Sequence, residues 1–334
     1  MYKVINQARG LKLIDHLNNN NFHIVLSNYG ASVYLIEMLD RNNRKEIITL
    51  TPQYAYYYNN SKYAGAIIGR VAGRIKNGDF KLNDKPYHVN TDGKKYLLHS
   101  GLSTSAFKLF DFKIDEIAEE TKITFYLFTK DMEDGFPGDI ELRVIYHLFM
   151  NENKMRIEIQ AISSKDTVLN ISSHIYFNLS GNLRRDILNH ELTINKGYFY
   201  TCDANLIPVE KTVVTKEFDF RMPKLIGKDI YSDDVLFPTK GYDHLFTGSK
   251  PLDISLYDKE SGRCVNIKSS YTDVTIYTNN QTDNYIYLGD VADSPHLGIA
   301  VEPNRLSKFY SPDGLTLKAR TLYNHYIDYI FEIR

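Results

Sequence analysis

The 334-residue chain has no tryptophan, only two cysteines and ten prolines, and its charges nearly cancel, with 40 Lys and Arg against 41 Asp and Glu. Each scarcity removes a class of protein. Cys202 and Cys264 show neither metal-ligand spacing nor a disulfide framework, so a reduced, intracellular protein is the simpler account. A net charge of -1 supplies no field to gather nucleic acid or an anionic membrane, and the expected partners are small and neutral. No apolar run approaches the roughly 18 residues of a membrane-spanning helix. Met1-Tyr2-Lys3 leads into mixed polar sequence, which predicts no signal peptide and hence a cytoplasmic protein. Helical periodicity is scarce, and neither a phosphate-binding Gly-x-x-x-x-Gly-Lys-Ser/Thr loop nor a dinucleotide-binding Gly-x-Gly-x-x-Gly loop is present.

What the chain does have is aromatic residues, 26 Tyr and 17 Phe, which favour strands. Ile123, Phe125 and Leu127 alternate with Thr124, Tyr126 and Phe128, and Met155, Ile157 and Ile159 alternate with Arg156, Glu158 and Gln160. A period of two marks a half-buried strand. Similar short segments recur along the chain between turn signals such as Asn28-Tyr29-Gly30 and Gly135-Phe136-Pro137-Gly138-Asp139. Residues 182–250 read as loop-rich, with short strands such as Glu191 to Ile194. No repeat or linker interrupts the pattern, which predicts an all-β fold, a large antiparallel β-sandwich with few short helices, formed as one domain over residues 1–334.

Five places concentrate polar chemistry. In Asn170 to Gly181, a continuous strand would set Ser172, His174 and Tyr176 on one face, polar and aromatic together, which suits a sugar. Gly65 to Gly78 interleaves glycines with Arg70 and Arg74 in apolar sequence, where an arginine either pairs with a carboxylate or offers its donor fork to a ligand. His99 ends an apolar run beside Ser100-Gly101, and Asp243 precedes His244 after Gly241-Tyr242. In Gly298 to Asn304, Glu302 is one carboxylate in an apolar segment, costly to bury unless it is paired or useful.

Taken in order, Gly69-Arg70-Val71-Ala72-Gly73-Arg74-Ile75, Leu98-His99-Ser100-Gly101, Gly135-Phe136-Pro137-Gly138-Asp139, Ser173-His174-Ile175-Tyr176-Phe177-Asn178-Leu179, Gly241-Tyr242-Asp243-His244 and the Glu302 segment resemble the aldose 1-epimerases, the galactose mutarotases. The resemblance implies a mutarotase-type β-sandwich with an open cleft for a free hexose such as D-galactose or D-glucose. It implies no cofactor and no metal, and leaves monomer and homodimer open. Carried over, His174 is the general acid, Glu302 the general base, and Arg74, His99 and Asp243 hold the sugar's oxygens. Gly73 stands where the family often has Asn, and Ser100 where it often has Gly. An amide that other members carry on the strand before the catalytic Glu falls at Tyr285 here, with Asn284 beside it.

Interconverting anomers requires ring opening, rotation about C1–C2 and reclosure. A base takes the O1 proton while an acid protonates the ring oxygen. At ordinary pKa values, near 4.3 for Glu and 6.5 for His, Glu302 would be the ready base and His174 the protonated partner, with Asp243 helping to keep His174 charged. Two other readings compete. A hexose-6-phosphate 1-epimerase would need extra cations, for which Arg184-Arg185 and Lys94-Lys95 are the candidates. A non-catalytic carbohydrate-binding sandwich would have no use for an acid–base pair.

Overall fold

Alternating side chains build the sheets. On the strand Lys154–Ser163, Met155, Ile157, Ile159 and Ala161 are buried, while Lys154, Arg156, Glu158 and Gln160 keep partial exposure. Each fully buried aliphatic or aromatic side chain contributes about 1.5–3 kcal/mol, so this face fixes the strand's register. The computed structural model describes residues 2–236, 238–310 and 314–334. The only α-helices among them, Tyr54–Tyr57, Asp233–Leu236 and Leu306–Phe309, are single turns of four residues each.

Three sheets, antiparallel throughout, carry the architecture. The first five strands, from Tyr2–Asn6 to Lys45–Ile47, form a meander in chain order. A nine-stranded sheet begins Asp111–Ile117, Glu120–Thr129, Ile140–Phe149, Lys154–Ser163 and ends at Lys224–Leu225. Its middle strand is the last in the chain, Leu322–Ile333, paired with Lys154–Ser163 on one side and Arg263–Ser269 on the other. The third sheet has the order Tyr176–Phe177, Ile299–Asn304, Asp273–Tyr277, Asp243–Thr247, Tyr198–Cys202, Pro208–Val213. One continuous core joins all three, from Ile24 and Leu26 through Phe125 and Ile157 to Phe246, Ile276 and Val301.

The all-β sandwich agrees with the sequence; one local reading, at His174, needs correction. Residues 182–250 are loop-rich with short strands, as expected; in the hairpin of Tyr198–Cys202 and Pro208–Val213 the register shifts between Tyr200 and Cys202 and the outer strand is largely exposed. Such an edge strand has no buried face to impose alternation. The strand expected through His174 breaks there: Ser172–Ser173 pairs with Ile67–Ile68, whereas Tyr176–Phe177 pairs with the Glu302 strand.

Candidate active site

The third sheet turns one face to the core and the other to a cleft. Val274 and Ile276, Ile299 and Val301, and Phe246 point into the core. The alternate residues line the cleft in two rows given by the strand register. One row runs Tyr176, Ala300, Tyr277, Asp243, and the next runs Glu302, Thr275, Leu245. All of these except Ala300 line the cleft wall. The cleft has a volume of about 180 Å³, below the ~300–1,000 Å³ of pockets for drug-sized ligands and suited to a monosaccharide.

His174 reaches this face because the chain changes sheets at that residue. Its backbone N–H donates to Ala66 O and its carbonyl accepts from Gly65 N, both at 2.9 Å. Continuing the Tyr176–Ala300 register by two residues sets His174 opposite Glu302, and His174 Nε2 lies 3.3 Å from Glu302 Oε1. The two side chains are 5% and 4% exposed. Burial pushes the Glu302 carboxyl up to about 8, with Asp243 adding to the rise and Arg74 opposing it. Burial pushes His174 down to about 4, against its backbone hydrogen bond and the charge of Asp243. These shifts reverse the order expected from ordinary values. Near neutrality the pair holds one proton, and burial favours that proton on Glu302.

Around the pair, the structure brings together three more of the sequence-predicted residues. Arg74 Nη2 donates to Asp243 Oδ2 at 3.0 Å, and the guanidinium sits 5.4 Å from the centre of the Tyr96 ring. Burial works against the charge of Arg74, but Asp243 outweighs it and keeps the group firmly protonated. Arg74 Nε is buried with no hydrogen-bond partner among the described residues. His99 adopts a left-handed backbone, with φ +48°, an uncommon conformation for a side-chain-bearing residue and one that gathers at functional sites. Its Nδ1 accepts the Gly73 N–H at 3.0 Å, so the neutral ring carries its hydrogen on Nε2. Burial, with the charges of His174 and Arg74, holds this ring well below the usual histidine range. Ring contacts fix both imidazoles: Tyr63 lies 4.9 Å from His99 and 6.0 Å from His174, and the two imidazoles meet edge to face at 5.2 Å.

His99, His174 and Glu302 place one donor atom each within 4.8 Å of one another, close enough to meet a single ion. The tautomer of His99 argues against that use. A metal needs the Nε2 lone pair, and freeing it would move the hydrogen to Nδ1, against the Gly73 N–H. The three groups instead suit sugar oxygens, which accept and donate.

Tyr285, a predicted sugar contact, is not on the cleft wall. It packs behind that wall with Tyr176 and Tyr287, and its hydroxyl accepts the Ser61 N–H at 2.7 Å. Asn284 is exposed and does not line the cleft either. The strand that pairs with the Glu302 strand lies further back in the chain, and its cleft residue opposite Glu302 is Thr275. Linear reading missed this because antiparallel register is set by the fold rather than by proximity in sequence. It also missed Tyr63, Tyr96 and Tyr277, which carry no signal that separates them from the many packing tyrosines. His244 is a core residue between Phe199 and Phe218. Arg70 is structural: it donates to the carbonyls of Lys130, Phe136, Pro137 and Gly138 and to Thr129 Oγ1, binding the Gly-Phe-Pro-Gly turn to the Gly69 segment.

Comparison with known proteins adds a family to this geometry. A family model described as aldose 1-epimerase matches residues 13–329. The aldose 1-epimerase of Haemophilus influenzae is 30% identical over 275 residues, covering 80% of this chain and 79% of its own. The galactose mutarotase of Sus scrofa is 27% identical over 329 residues, 95% of this chain and 93% of its own. Among solved structures, the galactose 1-epimerase from Lactobacillus acidophilus superimposes with a TM-score of 0.86 at 23% identity, covering 100% of this chain and 98% of its own, a likeness of fold.

Proposed function

The chain belongs to the aldose 1-epimerase family, and on that premise we propose that it interconverts the α and β anomers of free hexoses, D-galactose and D-glucose, with Glu302 as base and His174 as acid. It is an isomerase. The observation that carries the assignment is the 3.3 Å contact of two buried groups whose pKa values are pushed in opposite directions. A pair sharing one proton always offers one acid and one base.

Ring opening needs the proton on His174 and the charge on Glu302. Burial makes that form the minor one, but the opposite charges attract across the contact and the proton has only that gap to cross. A sugar whose O1–H donates to the carboxylate selects it. Glu302 then takes the O1 proton while His174 protonates the ring oxygen, C1–O5 opens, and after rotation about C1–C2 the two groups reverse roles. Burial makes the carboxylate a far stronger base than an ordinary one, with its pKa near the operating pH. Arg74, Asp243 and the Nε2–H of His99 hold the remaining oxygens, and the aromatic walls take the sugar's C–H face.

The phosphosugar reading lacks its cations. Arg184 is paired with Glu46, and Arg185 with Asp258 and Glu260. Lys94 and Lys95 are exposed, and none of the four is among the described residues lining the cleft. The two cations that do line it are spoken for, Arg74 by Asp243 and Lys62 by Asp293 at 2.6 Å. No helix among the described residues is long and apolar enough to cross a membrane, and the two free cysteines fit the cytoplasm we propose as the location.

The test is polarimetric. Freshly dissolved α-D-galactose and α-D-glucose are followed with and without protein, and the spontaneous rate is subtracted. Acceleration of either sugar is the expected result; none with either would overturn the proposal.

A further inference from the structure

We propose that Ser172 is a positioning residue for the acid–base pair, its hydroxyl tying the His174 segment to the Glu302 strand and so setting the contact between the two. Ser172 is fully buried and is not on the cleft wall, so it acts on the sugar only through its neighbours. Its Oγ donates to Pro303 O at 2.8 Å, with Ser173 O a longer alternative at 3.4 Å. Ser172 lies just before His174 on one segment, and Pro303 directly follows Glu302 on the other. Pro303 is buried and has no N–H to exchange in a ladder, so its carbonyl takes a side-chain donor.

The tie matters because the chain changes sheets here. The backbone from Ser172 to His174 is bonded to residues 65–68: Ser172 and Ser173 pair with Ile68 and Ile67, and His174 bonds to Gly65 and Ala66. Pairing with the Glu302 strand begins at Tyr176. Glu302 is fixed inside the third sheet by its pairing with Thr275 and by Asn304 Nδ2, which donates to its carbonyl at 2.7 Å. His174 is therefore the member of the pair that can drift, carried by a segment that belongs to another strand pair. On its Tyr176 side the ladder holds it to the Glu302 strand, and on its other side the Ser172 hydroxyl does. A wider gap between two groups that pass one proton costs rate steeply, about 100-fold for a misplacement near 1 Å. The inference rests on the acid–base reading above, in which the 3.3 Å contact carries the chemistry.

The experiment measures kcat and KM for D-galactose in Ser172→Ala, Ser172→Cys, Ser172→Thr and Ser173→Ala, with Glu302→Gln alongside. Alanine removes the donor and little else. Ser172→Ala should lower kcat about 10–100-fold and leave KM within about twofold, because Arg74, His99 and Asp243 still hold the sugar. The same loosening admits water to Glu302, so the alkaline limb of the kcat/KM profile should move below about 8. Asp243 and Arg74, the charges facing that carboxyl, are the same in every variant. Ser172→Thr keeps the hydroxyl and should restore both readouts, while Ser172→Cys, with a weak donor, should fall between alanine and the wild type. Ser173→Ala, whose lost hydroxyl faces Tyr329 in the core, should change neither. An unchanged kcat in Ser172→Ala would overturn the assignment, as would threonine and cysteine variants no better than alanine. A loss matched by Ser173→Ala, or one with the alkaline limb unmoved, would mark a general loosening of the fold and overturn it too. A Glu302→Gln variant that still turned over would remove the premise instead, whereas an inactive Glu302→Gln beside a fully active Ser172→Ala would remove only this inference.

Discussion

At the scale of single residues, the proposed acid–base pair rests on burial, which moves the proton affinities of Glu302 and His174 past each other. Glu302 stands out in the sequence as a lone carboxylate in apolar surroundings, and His174 as a titratable group among small polar and aromatic neighbours. Their protonation does not, because it depends on how completely the fold removes water from each. The same burial makes Glu302 a liability to the fold. Its pKa is about 8 when folded against an ordinary 4.5, so unfolding releases a proton at any pH between these values and stability falls as pH rises through that window. The cost is absent below about 4.5 and complete above about 8, at about 1.4 kcal/mol for each tenfold gain in the carboxylate's proton affinity. Glu302→Gln, which has no proton to lose, should therefore abolish turnover yet raise Tm by roughly 2–5 °C at pH 8, an advantage that fades toward pH 5. Calorimetric scans at the two pH values check this; a variant less stable than wild type at pH 8 would contradict the buried-charge account.

At the scale of elements, the site is a matter of register. Strand alternation in Ile299–Asn304 and Asp273–Tyr277 is legible as periodicity, but which residue of one strand meets which of the other is not, and so reading along the chain lands on Tyr285 where Thr275 stands. Gly73 shows the same dependence on a distant element. The sequence registers only the loss of an Asn. The structure supplies the reason: Gly73 has φ +97°, and a Cβ there would lie 2.4 Å from Leu306 Cδ2, at the start of the helix Leu306–Phe309. Gly73 also holds His99 through two hydrogen bonds, its N–H to Nδ1 and its carbonyl from the His99 N–H. Gly73→Asn should then raise KM for galactose about tenfold or more and lower Tm, because the backbone must shift and His99 with it. Adding Leu306→Ala should recover part of the KM loss, a coupling visible in a double-mutant cycle. Strict additivity of the two changes would mean that Leu306 does not set the residue at 73.

At the scale of the whole molecule, the cleft face of one sheet is backed by a continuous apolar core. The core that runs from the first meander through the nine-stranded sheet to Val301 is continuous, and the fold class is readable because each strand in it alternates. Its sheet order is not, since the last strand of the chain lies at the middle of the largest sheet. With a net charge of -1, the molecule supplies little long-range field, so the shifts at the site come from burial by this assembly and from Asp243 and Arg74 nearby. The pH dependence of kcat/KM on galactose, corrected for spontaneous mutarotation, reads that protonation directly. A pair holding one proton predicts a plateau between limbs near pH 4, where His174 is protonated beside an already neutral Glu302, and near pH 8, where the last proton leaves. A profile that rose with ordinary carboxylate titration near 4.5 and fell with ordinary histidine titration near 6.5 would contradict the account.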